Sequence, residues 1–342
     1  MNKPTILVTG GAGYIGSHTS FYLAQQGYNV IVLDSFRHNQ YLPKSFTENK
    51  NITIIKKDFA DQETLAKIFS TENIQAVVHF AAFIEVGESV KHPFSFYENN
   101  VIKTIKLLQT MVAYNIKQFV FSSSCAVYGT PETIPIPENH PKNPISPYGK
   151  NKLMVEMCLD DCARAYDMKF VALRYFNAAG ALDKKKLGEQ HIPETHLIPL
   201  ALQAAQKGKT FYLFGDDYKT PDGSCVRDFL HVQDLASAHA KALEYLHETK
   251  NSNFFNLGTG TGYSVKQVLA AIEKECGKKI KVEVKKRREG DPAQLVANAT
   301  KAKTILQWQP QHSSLETIVA SAHRFYKTFY LNKKLKIQET FK

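Results

Sequence analysis

An α/β fold built on a doubly wound parallel sheet is predicted by three observations. The apolar run Ile6, Leu7 and Val8 passes directly into Thr9-Gly10-Gly11-Ala12-Gly13-Tyr14-Ile15-Gly16 and a helical pattern through Phe21 and Leu23. That order is strand, glycine turn, helix. A second apolar run, residues 30–33, ends in Asp34. Short apolar runs then alternate with helical patterns as far as Leu173, and repeated βα units call for parallel strands with helices on both faces.

Each element has its own signal. Gly11, Gly13 and Gly16 satisfy G-x-G-x-x-G, and Gly10, Gly13 and Gly16 equally satisfy the variant with two residues between glycines. Such glycines let the backbone turn tightly against a pyrophosphate, whose charge meets the helix N-terminus. Asp34 lies about 20 residues on, where an acid meets the adenosine ribose, which favours NAD over NADP. Arg37 nearby is of the type that receives a 2′-phosphate. Strands are expected at 52–55, 76–80, 118–121 and 170–173, and helices at 61–69 and 148–166. Pro93 opens a further helix reaching residue 114, proline being tolerated at the first helical position.

Ligands of such a Rossmann-type sheet bind beyond the C-terminal strand ends. Asp58, Ala81, Ala82 and the triplet Ser122, Ser123 and Ser124 fall there, each expected just after its strand. Tyr148 and Lys152 start the 148–166 helix, and a four-residue spacing stacks them on one face. A free phenol near pKa 10 is a poor base, and bringing it to about 7 takes roughly 4 kcal/mol of differential stabilisation. An adjacent ammonium supplies stabilisation of that sign, so the pair points to proton transfer at a hydroxyl.

Beyond Asn177 the alternation loosens. Residues 178–199 and 215–226 read as loops, 200–207 and 265–276 as helices, and 211–214 and 280–284 as strands. Residues 254–257 read as one more central strand. The expected division is an NAD-binding domain at 1–177, rejoined by a strand and helix near 228–260. A smaller substrate domain at 178–330 and a tail at 331–342 complete it.

The 342 residues, 43% of them hydrophobic, suffice for one large core or two joined ones. No apolar run reaches the length of a membrane span, and the first strand begins at once without a signal peptide, so a cytoplasmic chain is expected. The five cysteines show no C-x-x-C, and Cys158 and Cys162, one helical turn apart, read as packing. The 12 histidines form no H-E-x-x-H, so no metal is expected. Net charge is +11, but the basic residues are scattered over 184–186, 278–286, Lys333, Lys334, Lys336 and Lys342 without a nucleic-acid motif. They read as solvated charge, part of it suited to an anionic diphosphate.

The motifs Val8-Thr9-Gly10-Gly11-Ala12-Gly13-Tyr14-Ile15-Gly16-Ser17-His18, His79-Phe80-Ala81-Ala82, Val86-Gly87-Glu88-Ser89 and Phe121-Ser122-Ser123-Ser124 resemble the extended short-chain dehydrogenase/reductase family. So do Ser146-Pro147-Tyr148-Gly149-Lys150-Asn151-Lys152, Leu173-Arg174-Tyr175-Phe176-Asn177, Gly223-Ser224-Cys225-Val226-Arg227-Asp228 and Arg288-Glu289-Gly290-Asp291. The resemblance runs from Thr5 to Trp308 and is closest to members that invert C4 of a UDP-hexose. It implies a retained NAD, a UDP-sugar substrate and a homodimer joined through the helices near 93–114 and 148–166. Tyr148 would take the proton of the sugar 4-hydroxyl, Lys152 would assist it and hold the nicotinamide ribose, and Ser124 would hold the reacting oxygen. The cofactor positions implied are Gly11, Tyr14, Ile15, Asp34, Asn39, Asp58, Phe59, Phe80 and Asn99, with Ser122 and Tyr175 joining the set. The nucleotide positions are Asn177, Leu197, Phe214, Arg227, Arg288 and Asp291, the arginines meeting phosphate as bidentate cations.

Three positions depart from the pattern. Ile84 stands where some members have a lysine reaching the cofactor, so that contact is absent unless Lys56 or another base replaces it. His196 stands where an asparagine often contacts the nucleotide. Leu295 stands where tyrosine or cysteine borders the sugar. A 4,6-dehydratase would want an acid pair after the serine, where this chain has Cys125 and Ala126. Alternative substrates of C4 inversion are a UDP-N-acetylhexosamine and a UDP-uronic acid. A silent NAD-binding interaction protein would have no need of Ser124, Tyr148 and Lys152 together.

Overall fold

Apolar β-branched runs too short for helices become strands, and each is carried back to the sheet's starting edge by a helix. The computed structural model describes residues 4–37, 41–182, 184, 186–191, 193–288 and 291–331. In order come β1 (Thr5–Thr9), α1 (Tyr14–Gln25), β2 (Asn29–Asp34), α2 (Lys44–Thr47), β3 (Ile52–Lys56), α3 (Gln62–Thr71) and β4 (Ile74–His79). Next are α4 (Val86–Lys91), α5 (Pro93–Tyr97), α6 (Lys103–Ala113), β5 (Gln118–Ser124), α7 (Pro147–Tyr166) and β6 (Lys169–Tyr175). The later part holds β7 (Asn177–Ala179), α8 (Leu197–Lys207), β8 (Phe211–Phe214), β9 (Val226–Arg227), β10 (Phe229–His231), α9 (Val232–Thr249) and β11 (Asn253–Leu257). It finishes with β12 (Tyr263–Ser264), α10 (Val265–Cys276), β13 (Val282–Lys285), β14 (Gln294–Leu295), α11 (Thr300–Ile305) and α12 (Leu315–Tyr326).

Seven parallel strands form the main sheet in the order β11-β6-β5-β4-β1-β2-β3. The order reverses between β1 and β4, which opens a crevice at their C-terminal ends. One face is covered by α1 and α9, through Phe21, Leu23, Leu235, Leu243 and Leu246. The other is covered by α3, α6 and α7, through Leu65, Ile68, Leu107, Met111, Val155 and Leu159. A separate core joins α8, α10 and α12 through Ile198, Leu202, Leu269, Ile272, Ile318 and Val319.

Four expectations change. Ser122, Ser123 and Ser124 are the last residues of β5, not a turn after it, because they pair in register with Leu173, Arg174 and Tyr175. The strand near 254–257 lies at the sheet edge, not its centre, since β6 is its one neighbour in that sheet. The run from Pro93 is interrupted by a π-helical segment, Glu98–Ile102, which carries Asn99. Residues 178–199 and 215–226 are not wholly loop: β7 pairs with β10, and β9 pairs with β12 and β14.

Candidate active site

The glycine turn is built for close approach. Gly10 has φ +70°, and a Cβ there would lie 2.5 Å from the Ala81 nitrogen. A Cβ at Gly16 would lie 2.1 Å from the Gly10 carbonyl oxygen, so that helix and turn touch backbone to backbone. Gly13 caps α1 without a side chain, and no acid occupies the first helical turn. That N-terminus opens into a cavity of about 1430 Å³ lined by Gly10, Gly13, Tyr14, Ile15 and Gly16. Gly11 is not among its lining residues; a Cβ there would lie 2.9 Å from the Val8 carbonyl oxygen and 3.0 Å from the Ser20 hydroxyl. Asp34 ties the turn to β2, one carboxylate oxygen accepting from the Ala12 N–H at 3.0 Å and the other from the Phe36 N–H at 2.8 Å.

Asp58, Phe59, Phe80, Ala81, Ala82 and Asn99 line the same end of the cavity. Asn39 lies outside the described residues. Ile84 also lines the cavity while Lys56 does not; the cation there is Lys103, whose ammonium pairs with Asp58 at 2.5 Å. The Arg37 guanidinium lies 4.1 Å from the Phe83 ring centroid.

At the sheet's C-terminal end the reactive side chains converge. Helix α7 starts where Ser146 accepts from the Gly149 N–H at 3.1 Å and Pro147 fixes the first turn. This start places Tyr148 and Lys152 on one face, with the ammonium 5.8 Å from the Tyr148 ring centroid. Lys152 is buried and donates to the Ser122 carbonyl at 2.7 Å. The Ser122 and Tyr175 hydroxyls share a hydrogen bond. Ser124, Tyr148, Lys152 and Tyr175 all line the cavity.

Burial dominates the electrostatics of this cluster. It holds the Tyr148 phenol well above its ordinary value, with Tyr175 adding to the rise and a hydrogen bond to Ser124 opposing it. Burial lowers Lys152 to about 7, with Glu156 opposing. In the free chain burial thus acts on both groups against their charged forms. A stability consequence follows. Between about 7 and the ordinary lysine value of about 10.4, the unfolded chain binds a proton at Lys152 that the native chain does not. Stability of the cofactor-free protein should rise with pH across that window relative to Lys152→Met, and the lysine's penalty should be complete below about 7. Urea melts of both proteins at pH 6.5 and 9 test this, and a pH-independent difference would refute it.

The far side of the cavity is lined by Asn177, His196, Leu197, Phe214, Arg227, Arg288, Asp291 and Leu295. The short strands β9 and β14 set Arg227 beside Leu295 in register. The Arg227 guanidinium is paired with Asp291 and also donates to the Val226 carbonyl at 2.9 Å, so its fork is engaged rather than bare. The Arg288 guanidinium lies 4.0 Å from the Phe214 ring centroid and pairs with no carboxylate among the described residues. His196 caps α8, and its imidazole, though burial opposes it, is raised to about 10 by hydrogen bonds to Glu189 and Glu194.

A family model described as GDP-mannose 4,6 dehydratase matches residues 7–321. The UDP-glucose 4-epimerase of Halalkalibacterium halodurans is 49% identical over 94% of this chain and 95% of its own. That of Rhizobium leguminosarum bv. trifolii is 49% identical over 94% and 97%. The chain belongs to the UDP-glucose 4-epimerase family. Its solved members include the enzyme from Brucella ovis in complex with NAD, with a TM-score of 0.89, 43% identity and coverage of 94% of this chain and 97% of that one. The enzyme from Bifidobacterium longum in complex with NAD+ and UDP gives 0.90, 38%, 95% and 99%.

Within this epimerase family the residues after Ser124 distinguish the chain from a dehydratase. Cys125 is buried, and burial pushes its thiol up to about 12; Ala126 has no proton to give. Neither suits an elimination that needs an acid and a base. Sequence reading missed Lys103, which follows Asn99 at helical spacing, and the loop cluster of Glu189, His191, Glu194 and His196. The second had a signal in Glu-x-His-x-x-Glu-x-His.

Proposed function

We propose that the protein interconverts UDP-galactose and UDP-glucose with a retained NAD. The observation that carries this reading is one cavity running from the glycine turn past Ser124, Tyr148 and Lys152 to Arg227 and Arg288. The residues fit the dinucleotide: Gly10 and Gly16 leave no room for a Cβ, the α1 N-terminus is open and free of acid, and Asp34 stands at the end of β2. Gly10, Gly13 and the first turn of α1 would hold the pyrophosphate, Asp34 the adenosine ribose, and Lys152 the nicotinamide ribose. Bound NAD supplies a reversible hydride acceptor for the sugar C4.

Tyr148 takes the proton from the 4-hydroxyl and later returns it. Ser124 donates a hydrogen bond to that oxygen through the 4-keto stage. Lys152 sits where its ammonium stabilises a phenolate, and the cavity walls exclude water that would otherwise compete for the proton. Arg288 meets the diphosphate, joined by Arg227 when its fork turns from Asp291. His196 and Leu197 border the nucleotide, with Asn177, Phe214 and Asp291. The cofactor side is assigned to residues 1–177 with β11 and α9, and the nucleotide-sugar side mainly to 178–330. The tail beyond residue 331 lies outside the described residues.

A homodimer is supported by the exposed apolar side chains Val90, Phe94, Ile102, Met154 and Met157 on α4 to α7. Phe94 is 88% exposed, which is unusual for an isolated surface. No described helix is long and apolar enough to cross a membrane, and the five cysteines are free, which is compatible with a cytoplasmic setting.

Purified protein mixed with UDP-galactose and no added NAD should form UDP-glucose. Acid release should yield about one NAD per chain, as one fingerprint implies. No turnover even with NAD supplied, or release of NADP, would overturn the reading.

Leu295 borders the cavity and packs against the cluster of Cys125, Val127, Tyr128 and Ile136. Its branched side chain offers apolar crowding and no hydroxyl for an acetamide. N-acetylated sugars should therefore react more slowly, by about 10-fold to 200-fold, the usual reach of apolar discrimination. Leu295→Ser should raise the activity ratio of UDP-N-acetylgalactosamine to UDP-galactose. An unchanged ratio would remove Leu295 from specificity.

A further inference from the structure

The loop entering α8 carries Glu189, His191, Glu194 and His196 within eight residues, and folding brings one ligand-type atom of each within 4.8 Å of the others. Glu189 Oε1 lies 3.1 Å from His191 Nδ1 and 2.6 Å from His196 Nδ1. Glu194 Oε1 lies 3.3 Å from His196 Nδ1. Around a tetrahedral ion with bonds of about 2.0–2.1 Å, neighbouring donor atoms are about 3.3 Å apart. Two of these three separations are close to that spacing and the third is shorter.

An independent observation concerns Glu194. Its side chain is 6% exposed, and its Oε1 already accepts from the Thr195 N–H at 2.8 Å and the His196 N–H at 2.9 Å. Its Oε2 is shielded from solvent and has no hydrogen-bond partner among the described residues. A buried carboxylate oxygen without a donor is unfavourable unless positive charge completes it. Access exists, since the His196 side chain is 42% exposed and Glu189, His191, Glu194 and His196 all line the cavity.

We propose that Glu189, His191, Glu194 and His196 form a site for a divalent transition-metal ion. Carboxylates are hard donors, but the two imidazoles are borderline ones, and this mixed nitrogen and oxygen set suits zinc or cobalt over calcium or magnesium. The ion would clamp the loop onto the start of α8, fixing the His196–Leu197 backbone where it borders the cavity. The site uses none of Ser124, Tyr148 and Lys152, and its existence does not depend on the proposed reaction.

The test uses the full chain after dialysis against a chelator. Cobalt titration should give a visible ligand-field band saturating at one ion per chain and bleached by zinc, and zinc should raise the thermal midpoint. The double variant His191→Ala, Glu194→Gln should lose the band and weaken zinc binding by at least about 10-fold to 100-fold, the loss that follows even from changing a group that only supports a ligand. The single variant His191→Ala should do the same in smaller measure and guards against misfolding of the double one. No saturable band and no calorimetric zinc binding would overturn the proposal, leaving a hydrogen-bonded cluster of histidines and glutamates. Equal zinc binding by wild type and both variants would overturn it too, placing the ion elsewhere.

Discussion

Tyr148→Phe is expected to keep the fold and the bound dinucleotide while lowering turnover of UDP-galactose by about 100-fold to 10,000-fold, the usual worth of a positioned general base. A phenyl ring fills the same space, and the Tyr148 backbone N–H still donates to the Ser89 hydroxyl at 3.2 Å. What is lost is the only phenol that lies over α7's first turn beside Lys152 among the described residues. Burial raises that phenol in the free chain, and the Lys152 ammonium beside it favours the phenolate that accepts the sugar's proton. The coupled formation of UDP-glucose gives the rate, and acid release gives the NAD content. A rate within threefold of wild type, roughly the scatter of such comparisons, would exclude Tyr148 as the base. Loss of NAD together with the rate would instead assign it to binding.

Glu156→Ala is expected to destabilise the protein by about 3–5 kcal/mol, the cost of leaving one member of a buried ion pair alone. Arg174 and Glu156 side chains are 1% and 2% exposed. They meet through two hydrogen bonds, Nε to Oε1 at 2.8 Å and a terminal nitrogen to Oε2 at 2.7 Å. Ser123 donates to the same carboxylate at 2.7 Å, and Arg174 donates to the Tyr128 hydroxyl at 2.9 Å. That hydroxyl donates in turn to Asn256 at 2.7 Å. The pair thus fastens α7 to β5, β6 and β11 directly beneath the reactive cluster. Glu156→Leu with Arg174→Met removes both charges and should cost markedly less than the single change, because no charge is stranded. Urea melts of the three proteins decide this; a loss below about 1 kcal/mol for Glu156→Ala would show the pair to be relaxed by water or rearrangement.

Much of this architecture was legible in the sequence because its signals are local. Tyr148 and Lys152 obey helical spacing, the glycines obey turn sterics, and Asp34 follows its strand at a fixed distance. The serine triplet was misplaced because serine carries little strand propensity, and only pairing with Leu173, Arg174 and Tyr175 holds it in β5. The Arg227–Asp291 pair joins residues 64 apart, and no periodicity announces such a meeting. The histidine and glutamate loop escaped for the opposite reason: its ligand atoms are near in sequence, but an irregular backbone had to fold before their spacing meant anything.

The edge position of β11 bears on how the molecule comes into being. All five residues of β11 pair with β6, yet 77 residues separate Tyr175 from Asn253 in the chain. A nascent polypeptide that has completed β6 therefore presents a raw strand edge, flanked by the buried Phe170 and Ala172, with nothing yet made to cover it. The sheet face that α9 covers is open over the same interval. Long-range pairing of this kind slows maturation and exposes adhesive surface meanwhile. The dinucleotide-binding residues 1–177 are thus obliged to wait for a later stretch of the chain, and a fragment ending near residue 177 would leave the ribosome as an aggregation template.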